Sequence, residues 1–314
     1  MEDGTIYSMA ATVGSGPKML RPMGLFSRPR VAPPAGGFRM LAFDLDGTFL
    51  ERDGRLAGAT ARFLSSLRAG GVELLAATGR RLWSALPVLA ELELAGSVVV
   101  HNGAMVASVP DAAPERIWPL DPADVRSVAA DLKRRGLSVL LFTAAPRGPG
   151  EVLAEEGGAD PSGYLAWYFH YASGHFSLFP DLGAAPLDSV LRVAGHGPRD
   201  ALEAAARELT ATHAGRLRAF VQRETVIDAH RVEVMAAGVD KWAGVTWVAE
   251  RHGIAPAQIV AVGDEANDAE MLSGAGWSLA APGASEAARS FARESVAGEG
   301  PAALVQALGR VLGR

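Results

Sequence analysis

Four short runs constrain this chain more than any other feature: LAF at 41–43, VELLAA at 72–77, SVVV at 97–100 and QIVAV at 258–262. They are almost wholly apolar and do not alternate with polar residues, so each reads as a strand buried on both faces. Between the first two, LAGATARFLSSLRAGG (56–71) has apolar residues at helical spacing and a Gly-Gly stop. Strand, helix, strand, helix, strand is the pattern of a parallel sheet with covering helices. Every run also leads into polar residues: Asp44 and Asp46, Thr78, His101 and Asn102, then Asp264, Asn267 and Asp268. In an open parallel sheet that carboxyl edge is where ligands bind.

The pattern breaks in the middle. From Met105 to Ala229 the strands look short and partly alternating: RIWPL, LSVLLFTA, DSVLRVAG, RLRAFVQ and ETVIDAH. Two helical stretches, DPADVRSVAADLKRRG and PRDALEAAARELTATH, interrupt them. This reads as a separate α+β unit with a mainly antiparallel sheet. The α/β pattern then resumes with a helix at DKWAGVTWVAERHG, the strand QIVAVGD and a helix at NDAEMLSGAG. The expected organisation is a doubly wound, mainly parallel α/β core from 38–104 and 230–314, with residues 105–229 inserted. Residues 1–37 are rich in Gly, Pro and Arg and show no period, so they read as a disordered extension or as the product of an upstream start codon.

Composition narrows the function. A net charge of −5 argues against nucleic acid as the main partner. With no cysteine there is no thiolate metal site and no thiol nucleophile. No apolar run is long enough to span a membrane, and the first residues lack the apolar stretch of a secretory signal, so the chain is expected in the cytoplasm, away from membranes. A monomer or homodimer is expected.

Two aspartates at a strand end repel one another unless a cation or a proton lies between them. A D-x-D-G-T match arises by chance in well under ~1 % of chains this long, and a later G-D-x-x-N-D makes coincidence remote. Carboxylates at Asp44, Asp46, Asp264 and Asp268, with no histidine cluster, form a hard oxygen site that selects Mg²⁺ with phosphate. Lys241 could add a fixed positive charge, and Thr78 and the amides after Asp44 neutral donors. Together these make a phosphate-binding site with a nucleophile in it. His170 and His175 read as loop or core histidines, and Trp242, Trp247 and Trp277 as helix-packing residues.

FDLDGT, ATGR, Lys241 and VGDEANDAEML resemble the four motifs of the haloacid dehalogenase (HAD) superfamily. The insert resembles its type-IIB cap. HNGA and VEVMAAGVDKWAGV are similar to the Cof-type sugar-phosphatase branch. The resemblance implies a HAD-like core and a phosphatase acting on a small phosphorylated metabolite, a sugar phosphate. Asp44 would be the nucleophile that carries an aspartyl phosphate, and Asp46 the acid and base. Asp44, the Asp46 carbonyl and Asp264 would hold Mg²⁺, with Asp268 in or near its shell. Thr78, Gly79, Lys241 and Asn267 would bind the phosphoryl group, and Arg80, His101 and Asn102 would meet the substrate. A phosphomutase or a non-catalytic phosphate-binding protein are the alternatives. A pump that transfers phosphate is excluded by the aspartate two residues after the nucleophile. One departure is Gly283 in LAAPGA, where the branch usually has asparagine.

Overall fold

The structure is a computed structural model that describes residues 37–50, 56, 58–145, 148–224 and 229–313. The extension expected at 1–37 lies outside them except for Gly37, as do residues 225–228 of the ETVIDAH strand.

Strands Glu294–Ser295, Trp277–Ala280, Ile259–Gly263, Met40–Phe43 and Glu73–Ala76 lie in that order in one sheet, every pair parallel. A single parallel bridge from Ala77 to Val99 carries the order on towards Gly96–Val100. The lack of alternation in the apolar runs has its reason here. Leu41, Phe43, Val260 and Val262 pack on helices Gly58–Ala69 and Gly300–Leu312, through Leu64, Leu67, Leu304 and Leu308. Met40, Ala42, Ile259 and Ala261 point the other way, onto helices Lys241–Arg251 and Ala269–Gly274 through Val245, Val248, Met271 and Leu272. Both faces are therefore covered, and the doubly wound α/β class is the one observed. Burying each of the larger of these side chains contributes about 1.5–3 kcal/mol.

A second sheet has six strands, in the order Leu217–Arg223, His230–Ala236, Val190–His196, Ser138–Thr143, Val152–Glu155 and Phe176–Phe179. All neighbours are antiparallel except the last pair. Helices Pro122–Arg134 and Arg199–Thr212 cover one face, against Val139 and Leu141. Helix Tyr164–Tyr171 lies on the other, against Leu140 and Phe142. This helix and the strands Val152–Glu155 and Phe176–Phe179 have no counterpart in the sequence reading.

Sheet membership departs from the limits 105–229 at both ends. Met105–Val109 and Pro114–Ile117 form a three-stranded antiparallel sheet with Gly96–Val100, beside the core. His230–Ala236 belongs to the six-stranded sheet. At the first end only residues 101–104 separate Gly96–Val100 from Met105–Val109, so the two strands pair directly as an antiparallel hairpin. Among the described residues no helix is long and apolar enough to cross a membrane.

Candidate active site

The site is built where the parallel strands end. Asp44 follows strand Met40–Phe43, its N–H bonded to the Val262 carbonyl at 3.0 Å, so the sheet itself fixes its position. Lys241 begins helix Lys241–Arg251, which Asp240 caps by accepting from the Ala243 N–H at 2.9 Å. The lysine side chain is almost fully buried. Its Nζ donates to Asp44 Oδ1 at 2.6 Å and to Asp268 Oδ1 at 2.7 Å. Asp268 Oδ2 accepts from the N–H groups of Asp264 and Glu265 at 3.0 and 3.1 Å. Both oxygens of that carboxylate are engaged by protein donors, and it anchors the lysine and the loop that carries Asp264.

Asp44, Asp264 and Asp268 bring carboxylate oxygens within 4.8 Å of one another. Three carboxylates face one ammonium, so the centre carries surplus negative charge. Burial, with Asp268 and Asp46 adding to it and Lys241 opposing, pushes the Asp44 carboxyl up to about 7. Burial and then Asp44 and Asp268 push Asp264 up to about 9. Burial alone would lower the Lys241 ammonium, but Asp268 and Asp44 outweigh it and hold it above the ordinary lysine range. A donor set of hard oxygens short of one or two positive charges fits a divalent cation such as Mg²⁺. Gly47 lets the chain pass close by. It has φ +72°, and a Cβ there would come within 2.0 Å of Asp264 Oδ2.

The Asp46 side chain stands apart from that group. Arg80 grips it with two hydrogen bonds, Nε to Oδ2 at 2.7 Å and Nη2 to Oδ1 at 2.5 Å. Thr78 is buried and its hydroxyl accepts from the Arg80 N–H at 3.1 Å. Gly79 packs beneath Asn102, where a Cβ would meet Oδ1 at 2.8 Å. Asn102 and His101 both have left-handed backbones, with φ of 53° and 52°, a region uncommon outside glycine but one that asparagine and histidine enter more readily than most. Asn102 links three elements. Its Oδ1 accepts from Asn267 Nδ2 at 3.0 Å, and its Nδ2 donates to Glu233 Oε2 at 2.8 Å. Glu233 is fully buried in the six-stranded sheet and also pairs with Arg192 and Arg231. His101 is buried beside Arg192 and Arg81, and burial with those charges keeps it neutral well below the ordinary histidine range. Gly283 adopts φ +81°, and its loop reaches Asp264 through backbone alone, Ser285 N–H to the Asp264 carbonyl at 2.8 Å.

The structure thus brings together Asp44, Lys241, Asp264 and Asp268, pairs Asp46 with Arg80, and joins Asn102 to Asn267. Lys241 and Asn267, expected on phosphoryl oxygens, are engaged here by protein groups. Sequence reasoning passed over Glu233, Arg192, Glu151 and Tyr168. A signal existed for two of them: a charged residue inside an otherwise apolar strand, as in LRVA and RVEVM. His175 lies against Glu151 and Trp83, and Trp242 and Trp247 pack on the core, as expected.

Residues 41–148 and 188–305 match the haloacid dehalogenase-like hydrolase family. The chain is 26 % identical over 268 residues to the 5-amino-6-(5-phospho-D-ribitylamino)uracil phosphatase of Bacillus subtilis, covering 82 % of this chain and 92 % of that one. It is 28 % identical over 244 residues to the HMP-PP phosphatase of Serratia proteamaculans, covering 76 % and 82 %. Among solved structures, a haloacid dehalogenase-like hydrolase from Bacteroides thetaiotaomicron superposes with a TM-score of 0.71 at 21 % identity, covering 87 % of this chain and 99 % of that one. A HAD subclass IIB sugar phosphatase gives 0.69 at 19 %, covering 87 % and 98 %. The chain belongs to the haloacid dehalogenase-like hydrolases, and the expected family, fold and hydrolase class are borne out.

Proposed function

We propose that this hydrolase is a Mg²⁺-dependent phosphatase that cleaves a small phosphorylated metabolite, a sugar phosphate, through an aspartyl phosphate on Asp44. The observation that carries the reading is the grouping of Asp44 with Asp264 and Asp268 around Lys241, at the carboxyl edge of the parallel sheet. The names of the curated relatives, both phosphatases of small phosphorylated compounds, support it.

Lys241 holds Asp44 Oδ1, which directs the other oxygen, Oδ2, towards the substrate. That oxygen attacks phosphorus in line as the bond to the leaving oxygen breaks, and Asp46 gives the leaving oxygen its proton. Water then attacks the same phosphorus and gives a proton to Asp46, releasing inorganic phosphate and regenerating the Asp44 carboxylate. Arg80 must release one Asp46 oxygen for the proton to pass. Thr78, Gly79 and Asn267 orient the phosphoryl oxygens, and Arg80, His101 and Asn102 line the substrate side. Asp44, Asp264 and the Asp46 carbonyl would hold Mg²⁺, with Asp268 behind them, and the ion would offset charge repulsion between carboxylate and phosphate.

The test supplies Mg²⁺ and a panel of phosphorylated sugars, nucleotides and cofactors, and follows inorganic phosphate. Release is expected, with acid-quenched protein carrying one phosphoryl group on Asp44. Asp44→Asn should lower turnover at least about 10³-fold. Near-normal turnover in that variant would overturn the assignment. Transfer to a second substrate hydroxyl instead of water would make the enzyme a phosphomutase.

A further inference from the structure

Beyond the carboxylate centre, the contact between the two large sheets buries a cluster of polar side chains that the mechanism above does not use. Arg81 follows Arg80 in the chain, and its side chain is 4 % exposed. Its guanidinium lies 5.1 Å from the Trp83 ring centroid and 5.3 Å from that of Tyr168. Across from it Glu151, 1 % exposed, comes from the loop before strand Val152–Glu155. Arg81 Nη1 and Glu151 Oε2 stand 3.4 Å apart as an ion pair without hydrogen-bond alignment. Arg81 Nη1, Glu151 Oε1 and the Tyr168 hydroxyl find no hydrogen-bond partner among the described residues, while Glu151 Oε2 lies 3.0 Å from His175 Nδ1. Native interiors satisfy roughly 90 % or more of such groups. Several unsatisfied atoms in one place are the imprint of a ligand that brings the missing partners.

We infer that Arg81, Glu151 and Tyr168 form a leaving-group subsite that takes an uncharged ring presenting an adjacent hydrogen-bond acceptor and donor. The inference rests on the phosphatase reading and names the substrate class for the same site. Arg81 supplies a donor and Glu151 Oε1 an acceptor, so the occupant must offer the complementary pair side by side. Vicinal hydroxyls of a sugar and the amide-like edge of a nitrogen heterocycle both do so. The charges of Arg81 and Glu151 balance, and Arg192 nearby is already paired with Glu233. An additional phosphate or carboxylate on the leaving group would therefore meet Glu151 without compensation. Trp83 and Tyr171, with ring centroids 6.0 Å apart and edge to face, border the cluster, and Tyr171 is 45 % exposed. Arg81 directly follows Arg80, which holds Asp46, so the subsite adjoins the reaction centre.

The experiment measures kcat/KM with Mg²⁺ at pH 8, where Glu151, pushed up to about 7 by burial, is ionised. The substrates are acetyl phosphate, a hexose monophosphate, a pyrimidine nucleoside monophosphate and a hexose bisphosphate. One ring monophosphate should exceed both acetyl phosphate and the bisphosphate by about tenfold or more, and which one does so tells sugar from heterocycle. Glu151→Gln and Tyr168→Phe should each cut that ratio about tenfold, chiefly through KM, the size of one lost hydrogen bond to a charged or buried group. Tyr168→Phe should do this with no fall in Tm, since the hydroxyl has no protein partner to lose. Preference for the bisphosphate, or a ring preference that survives both substitutions, would overturn the subsite while leaving the phosphatase reading intact. Hydrolysis of none of the four would overturn that reading and the subsite with it.

Discussion

Arg80 and Arg81 are neighbours in sequence and stand on opposite sides of a physical divide. Arg80 belongs to a region where polar groups answer one another: it holds Asp46 with two bonds, as Lys241 holds Asp44 and Asp268. Arg81 belongs to a region where they do not, facing Glu151 without a hydrogen bond. The first region is largely preorganised: Lys241 already holds Asp44 and Asp268, and only the Arg80 grip on Asp46 has to loosen when a proton moves. The second keeps part of its hydrogen-bonding capacity unspent, as the inferred leaving-group subsite requires. The proposed chemistry and the inferred selectivity thus draw on opposite uses of buried polarity.

The sharpest way to break this contrast is to remove the lysine. Lys241→Met leaves two buried carboxylates without their partner. At pH 8 without metal it should destabilise the fold by about 3–5 kcal/mol and abolish turnover. Mg²⁺ should restore part of the lost Tm but not the activity. A variant as stable as the parent would mean that the carboxylate centre is no more tightly balanced than the Arg81 region.

A smaller effect comes from pH. Asp44 and Asp264 titrate in the folded chain at about 7 and about 9, above the ordinary carboxylate value. The folded state then keeps protons that the unfolded state has shed. Their contribution is full in acid and is lost as pH rises through those values. In metal-free protein Tm should fall by several degrees between about pH 5 and about pH 9, and Mg²⁺ should flatten the fall. A Tm that climbs over that interval in chelator would refute the charge surplus.

The smallest effect concerns the link between the regions. Asn102→Ala removes the bonds to Asn267 and Glu233, and should cost about 1–3 kcal/mol, because Glu233 keeps its arginine partners. Measured kcat should fall more than KM rises if Asn102 holds Asn267 in position. A pure loss of stability with unchanged kcat would mean that Asn102 only braces the fold.

What the sequence revealed follows from where the information sits. Asp44, Asp264 and Lys241 were legible because each is set by its own strand end or helix start, and residue type with local pattern suffices there. The pairing of Asn102 with Glu233 was not, since it joins residues 131 apart whose meeting depends on how two sheets pack. Helix Tyr164–Tyr171, YLAWYFHY, was hidden because apolar and aromatic residues occupy nearly every position and leave no helical period. Strands of four residues, such as Val152–Glu155, are too short to show one.

Strand His230–Ala236 and Lys241 are separated by only four residues. Such a tether, five residue-to-residue steps from Ala236 to Lys241, reaches at most about 18 Å when taut. Here it is gathered in, by the Val239 N–H on the Ala236 carbonyl at 3.2 Å and by Arg218, which reaches Asp240 at 3.7 Å and Glu270 at 3.2 Å. The six-stranded sheet therefore has its hand on the root of the helix that supplies the lysine. If that sheet tilts, the slack available is a few residues long, and the ammonium, its two carboxylates and Glu233 must follow as parts of one lever.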